Sequence, residues 1–242
     1  MQKDSLGDRM KHNYEDRYRS SLTRRTPAIM RLDGKAFHTL TRGAEKPFDP
    51  RLSSAMHATA EKLLDEIQGA KCAYVQSDEI SILITDFDKI STHAWFDYNV
   101  QKMVSVSAAI ASVEFSQRYG KTTHFDSRVF NVPKEETVNY FRWRYMDWLW
   151  NSIQMLAQSM FPQKELHGKN SAALHEMCFK KGKNWADLAP VWKNGAFYAN
   201  DGQWVDFNLM STEDRTNTFI ESVLYPQEEQ SLGEIITPRS TV

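Results

Sequence analysis

The 242-residue sequence predicts an α+β fold: a ferredoxin-like antiparallel sheet with helices on one face, followed by an α/β C-terminal appendage. Three observations carry that expectation. Short runs with the two-residue period of strands alternate with long stripes at helical spacing. Their order is strand, helix, hairpin, helix, strand, helix, and up to residue 130 this is the β-α-β-β-α-β pattern. From Gln163 the composition changes, with Lys164, His167, Lys169, Lys180, Lys181 and Lys183 preceding a mixture of Trp, Asn and Gly. The predicted division is therefore 1–135, with an N-terminal arm, and 136–242 as an extension on the same core.

Taken in order, residues 1–25 mix charges and hydroxyls without clear periodicity and read as a partly helical, mildly basic arm. After Thr26-Pro27, Ala28, Met30 and Leu32 alternate with Ile29, Arg31 and Asp33, the signature of a strand with one face in a core. Arg31 and Asp33 share the open face. Asp49-Pro50 is a helix start, with Asp as N-cap and Pro at the first helical position. Leu52, Met56, Ala60, Leu63 and Ile67 then recur at helical spacing as far as Gly69. Residues 72–84, CAYVQSDEISILI, are two apolar runs split by Gln76-Ser77-Asp78-Glu79. Two adjacent acids in the middle of one strand are unfavourable, so the segment reads as a hairpin with the acids at its tip. Trp95, Phe96, Val100, Met103, Val104, Ser107, Ile110, Ala111 and Phe115 form a second helical stripe ending near Gly120. Residues 125–130, FDSRVF, are a short strand, and Val132-Pro133 opens a third helix reaching about Phe161-Pro162. The tail from Ser211 turns acidic.

Composition excludes several classes of protein. With 41% hydrophobic and 25% charged residues the chain is neither a disordered tail nor a fibre. A net charge of -1 confines any nucleic-acid site to a local basic patch. Cys72 and Cys178 are too few for a disulfide framework or a four-thiolate zinc site, and the seven histidines show no metal-binding spacing. No apolar run has signal-peptide or membrane-span length, so a cytoplasmic protein without membrane contact is expected. The absence of a GxxxxGKS/T loop, a GxGxxG fingerprint and a GxSxG elbow removes the main supports for P-loop, Rossmann and serine-hydrolase chemistry.

The residues that remain are mostly carboxylates. Asp33 closes the first strand while Asp78 and Glu79 sit in the hairpin, and in a ferredoxin-like sheet those elements are neighbours. Converging hard oxygen ligands suit Mg2+, which takes one or two carboxylates together with water and substrate phosphates. The same residues are also ordinary turn formers, and spacing does not choose between the readings. Gly34, lacking Cβ, lets the backbone approach a phosphate or metal, with the amides of Lys35, Ala36, Phe37 and His38 placed to cradle a triphosphate. Lys46 is a candidate phosphate counter-charge or simply a solvated lysine. On the third helix Arg144, Asp147, Trp148 and Asn151 share a face, either as an exposed ion pair or as a polar pocket for nucleotide or RNA. Of Trp143, Trp148 and Trp150, two are expected in the core. Lys102, Arg118, Lys121, Arg128 and the lysines of 164–193 are either a phosphate-tracking surface or scattered charges.

The run RLDGKAFHTLTRG at 31–43, EKPFD at 45–49 and YVQSDEISIL at 74–83 together resemble the tRNA-His guanylyltransferase family. FDSRVF at 125–130, WRYMDWLWN at 143–151 and KNG at 193–195 fall where that family has its later motifs, so the likeness runs in order over about residues 9–200. The resemblance implies a palm domain like that of polymerases and cyclases, adding nucleotides to the 5' end of tRNA. A 5'-monophosphate is first activated with ATP, or a triphosphate end is used directly. The 3'-hydroxyl of an incoming NTP, GTP among them, then attacks, and pyrophosphate or AMP leaves. By this resemblance Asp33, the Gly34 carbonyl and Asp78 are Mg2+ ligands, two ions being implied, and Glu79 is the adjacent catalytic acid. Asp33 to His38 (Asp33, Gly34, Lys35, Ala36, Phe37, His38), with Ser77 and Asp78, hold the nucleotide. Lys46, Asp49 and Lys102 match further phosphate or nucleotide contacts, and Arg128 and Asn151 match polar positions of the family. A homotetramer, a dimer of dimers, with tRNA spanning subunits is implied as well.

Two departures refine the resemblance. Where the eukaryotic enzymes carry a HINN-like run, this chain has Leu149, Trp150, Asn151 and Ser152, and an Arg pair before Lys102 is replaced by Tyr98 and Asn99. These changes resemble the bacterial and archaeal guanylyltransferase-like branch, which implies template-directed repair of 5'-truncated tRNA. The alternatives are a strict tRNA-His guanylyltransferase adding a single G, a palm-type nucleotide cyclase, and a non-catalytic tRNA-binding module.

Overall fold

The computed structural model describes residues 5–199, 204–205 and 220–222. The acidic tail from Ser211 lies, but for 220–222, outside them. The strand pattern organises the fold. Strands β1 (Ala28–Gly34), β2 (Ala70–Gln76), β3 (Glu79–Ile84), β4 (Phe125–Asn131), β5 (Ala196–Ala199) and β6 (Trp204–Val205) form one sheet in the order β4-β1-β3-β2-β5-β6, every neighbouring pair antiparallel. The first four strands take the ferredoxin-like order. The last two extend the sheet beyond β2 and come from the C-terminal part of the chain.

The helices, α1 (Leu6–Met10), α2 (Phe37–Leu40), α3 (Pro50–Glu66), α4 (Val100–Tyr119), α5 (Lys134–Gln158), α6 (Gln163–Leu166), α7 (Ser171–Lys180) and α8 (Pro190–Asn194), have legible causes. Asp49 caps α3 by accepting from the amides of Arg51 and Leu52, and Pro50 begins it. Asn99 caps α4, and Gly120 at φ 78 ends it in the left-handed region. The expected start of this helix at Trp95 is corrected: Phe96, Asp97 and Tyr98 have φ of 49, 51 and 57, so 95–98 is a tight turn that no helix can pass through. This turn anchors the arm, which is helical over 6–18 and exposed: the Leu22 amide donates to the Tyr98 carbonyl and the Val100 amide to the Ser20 carbonyl, both at 2.9 Å.

The pleat divides the core. Ala28, Met30 and Leu32 of β1, with Ile80, Ile82 and Ile84 of β3, pack under α3 and α4 against Met56, Leu63, Met103 and Phe115. Ile29, Leu83, Cys72 and Tyr74 face the other way and are covered by Tyr140, Phe141 and Tyr145 of α5. The expectation of helices on one face therefore holds for α3 and α4, while α5 covers the opposite face. Its C-terminal half packs with α6 and α7 in a satellite core of Ile153, Leu156, Leu166, Leu174 and Cys178. Burial pushes both cysteine thiols up, so neither is a ready nucleophile. Among the described residues no helix is long and apolar enough to cross a membrane.

Candidate active site

The site forms where β1 ends beside the β2–β3 hairpin. In the sheet register Asp33 stands opposite Glu79 on β3 and Asp126 on β4. Ser77 and Asp78 make the two-residue turn, and the Gly34 amide donates to the Asp78 carbonyl at 3.0 Å, tying the end of β1 to that turn. The Asp78 carboxyl is pushed up, chiefly by burial and then by the Asp33 charge, against the opposing effect of hydrogen bonds from its own amide and from Ser77. Asp33 makes no side-chain hydrogen bond or salt bridge with the described residues. Arg128 feels the Asp33 charge but makes its salt bridge with Asp126, so Asp33 and Asp78 are two mutually repelling carboxylates, neither in an ion pair among the described residues, a donor set that a hard cation would satisfy. Among the described residues no three His, Cys, Asp or Glu side chains converge, so a cation at this pair would have to take its remaining ligands from phosphate and water.

Glu79, expected as the catalytic acid adjacent to Asp78, is held in an ion pair and shielded from solvent. Its carboxylate is buried and gripped by Arg144, Nε to Oε1 at 2.7 Å and Nη2 to Oε2 at 2.8 Å, with Arg31 Nε at 3.6 Å. Strand alternation is the cause: Ile80 faces α3 and α4, so Glu79 points to the face that α5 covers. Arg144 is itself 7% exposed, which rules out the exposed ion-pair reading. Its neighbour Asp147 accepts from both Arg144 Nη2 and Asn151 Nδ2 at 3.1 Å.

The segment after β1 differs in one respect from the sequence expectation. The Lys35 amide donates to the His124 carbonyl at 2.8 Å and is spent in the fold. The amides of Ala36, Phe37 and His38 have no acceptor among the described residues, and Ala36 at φ 57 turns them together ahead of α2. Packing by itself requires glycine at 34, since a Cβ there would lie 2.1 Å from the Phe37 ring, which is buried against Phe115 and Phe125.

Beside the turn opens a cavity of about 710 Å3, of a size that takes a nucleotide. Phe37, His38, Lys46, Asp49, Ser77 and Asp78 line it, as do Trp148, from the helix face offered above as a nucleotide or RNA pocket, and two aromatic groups not foreseen as site residues, Phe48 and Trp192. Phe48 and Trp192 stack at 5.1 Å with rings 5° from parallel. Asp49 also serves as the α3 cap. His57, on the cavity wall, is held down to about 4 by burial and is neutral at pH 7. Only Trp148 of the three α5 tryptophans is buried; Trp143 and Trp150 are 53% and 36% exposed. Lys102 is not brought to this cavity. It lies in the first turn of α4, towards the arm, with Nζ 5.8 Å from the Phe96 ring. Arg128 sits opposite Arg31 across β4 and β1 and pairs with Asp126 at 3.0 Å.

Comparison with known proteins places the chain by family and fold. The family model described as tRNAHis guanylyltransferase matches residues 7–133. A solved bacterial tRNA(His) guanylyltransferase-like protein in complex with ATP shares 41% identity and superposes with a TM-score of 0.85, covering 91% of this chain and all of that one. One in complex with GTP gives 37% identity and a TM-score of 0.76, covering 92% of this chain and all of that one. The tRNA(His) guanylyltransferase of Schizosaccharomyces pombe is 25% identical over 206 residues, 74% of this chain and 76% of that protein.

Proposed function

Because the chain belongs to the tRNAHis guanylyltransferase family, whose members transfer nucleotides to tRNA, we propose that it is a Mg2+-dependent 3'-5' nucleotidyltransferase acting in template-directed repair of 5'-truncated tRNA. The observation that carries this reading is the mutually repelling pair Asp33 and Asp78, neither in an ion pair among the described residues, next to a nucleotide-sized cavity that Asp78 also lines. The bacterial relatives solved with ATP and with GTP support nucleoside triphosphates as substrates.

In this reading the unit 1–135 supplies the catalytic acids, and from the unit 136–242 Trp148 and Trp192 complete the cavity wall. Asp33 and Asp78, with the Gly34 carbonyl, hold the cation. Mg2+ bound there supplies charge neutralisation of the transferring phosphoryl group and lowers the pKa of the attacking hydroxyl. The amides of Ala36, Phe37 and His38 receive phosphate oxygens, Lys46 adds a point charge, and Ser77 donates from the turn. The aromatic wall of Phe48, Trp148 and Trp192 excludes water and offers an apolar surface to the base. Arg128 and Asn151 are left for RNA contact, and a homotetramer brings tRNA across subunits, which light scattering checks.

The test incubates the protein with Mg2+, ATP, the four NTPs and a 5'-monophosphorylated tRNA lacking its first nucleotide, resolving the 5' end to one nucleotide. Growth by the base complementary to the acceptor strand, lost in Asp33→Ala with folding intact, is the expected result. Addition of G regardless of template overturns repair in favour of strict guanylylation. A cyclic nucleotide product, or no product at all, overturns 5'-end transfer.

A further inference from the structure

The turn that carries Asp78 is strained, and what holds it comes from outside the sheet. Ser77 sits at φ 49, in the left-handed region, which a non-glycine residue keeps only when its surroundings fix it. The two residues flanking the turn, Gln76 and Glu79, are paired across the hairpin, and both meet one guanidinium. Arg144 donates to both oxygens of Glu79 as described. With the Gln76 amide oriented to satisfy its neighbours, Oε1 accepts from Arg144 Nε at 3.2 Å and Nη2 at 2.5 Å, while Nε2 donates to the Arg144 carbonyl at 2.7 Å. Gln76, Glu79 and Arg144 are 4%, 7% and 7% exposed, so this grip is shielded from water. Asp147 and the face of Trp143, 4.5 Å from the guanidinium carbon, hold Arg144 in turn.

We propose that Arg144 is a positioning residue: from α5, eleven residues past the end of the matched family region at 133, it clamps the base of the β2–β3 turn and so fixes the Asp78 carboxylate against Asp33. The proposal rests on the cation reading of that pair and reassigns Arg144 from the RNA surface to the support of the site. Arg144→Lys keeps the charge but cannot reach Gln76 and both Glu79 oxygens at once.

The test measures Mn2+ binding, in place of Mg2+, by electron paramagnetic resonance with a non-hydrolysable NTP present, and separately kcat and KM for tRNA. Arg144→Lys is expected to weaken Mn2+ binding about tenfold and to raise half-saturating Mg2+ equally, with KM for tRNA within about twofold of wild type. Should Arg144→Lys not fold, Asp147→Asn, which loosens the grip on Arg144 from a more exposed position, is expected to shift Mn2+ binding in the same direction by about two- to threefold. Unchanged Mn2+ binding in the folded variant overturns the clamp, whether KM for tRNA rises, as for an RNA contact, or only the melting temperature falls, as for a packing role. A wild-type protein that binds Mn2+ but transfers no nucleotide removes the proposed function and leaves the clamp standing.

Discussion

The two faces of the central sheet are built on opposite rules. Under α3 and α4, β1 and β3 present Ala28, Met30, Leu32, Ile80, Ile82 and Ile84, all fully buried and none polar. On the other face, one residue along the same strands, Ile29 and Leu83 give way within two steps to Arg31 and Ser81, then to Asp33 and Glu79. The first face is stabilised by area alone; the second grades from core to charge, ending in Asp33 and in a Glu79 paired with Arg144, with Asp78 in the turn just beyond. Stability and chemistry are thus separated by one residue of register, and a one-residue slip would exchange them.

Mutations on the two faces sharpen that contrast. Ile82→Ala, on the apolar face, is expected to cost about 2–5 kcal/mol, read as a lower denaturant midpoint with the slope unchanged. Asp78→Asn, on the charged side, should raise the melting temperature at neutral pH while abolishing transfer. Its sign follows from the raised Asp78 carboxyl. Folding favours the protonated acid, so wild-type stability falls as pH rises from the ordinary carboxylate range through the raised folded value, and the Asn variant lacks that slope. Mg2+ should raise the wild-type melting temperature and leave Asp78→Asn unmoved. Equal melting curves for wild type and Asp78→Asn at all pH would break the contrast. The smallest effect is expected at Asp49, which both caps α3 and lines the cavity. Asp49→Ala should cost about 1 kcal/mol, while Asp49→Asn keeps the cap. A rise in KM for NTP in the Asn variant isolates the charge's part in binding.

Much of this arrangement was legible in the sequence. Alternation over 28–33, the Asp49-Pro50 helix start and the polar tetrad 76–79 placed β1, α3 and the hairpin, because each rests on local periodicity or capping. The Glu79–Arg144 grip was not legible: 65 residues separate the partners, and helical spacing on α5 shows which residues share a face but not what that face meets. The same limit explains Trp143 and Trp150, whose aromatic character suggests burial without guaranteeing it. Trp192 gave no signal, since α8 is one turn whose place is set by the rest of the fold. The helical stripe at 95–98 misled because the apolar spacing is present while the backbone turns left-handed at three successive residues.

The pairing of β2 with β5 has a consequence during synthesis. About 120 residues separate the end of β2 from the start of β5, the strand that covers its far edge. At about 5–20 residues per second the ribosome takes roughly 6–24 s to deliver that cover. For the first 55 of those residues β4 (Phe125–Asn131) is also still to be made, so a complete β4-β1-β3-β2 sheet with an unpaired, largely apolar edge at 70–76 waits for its cover only over the last 65, roughly 3–13 s, and in that form is prone to join another unfinished chain.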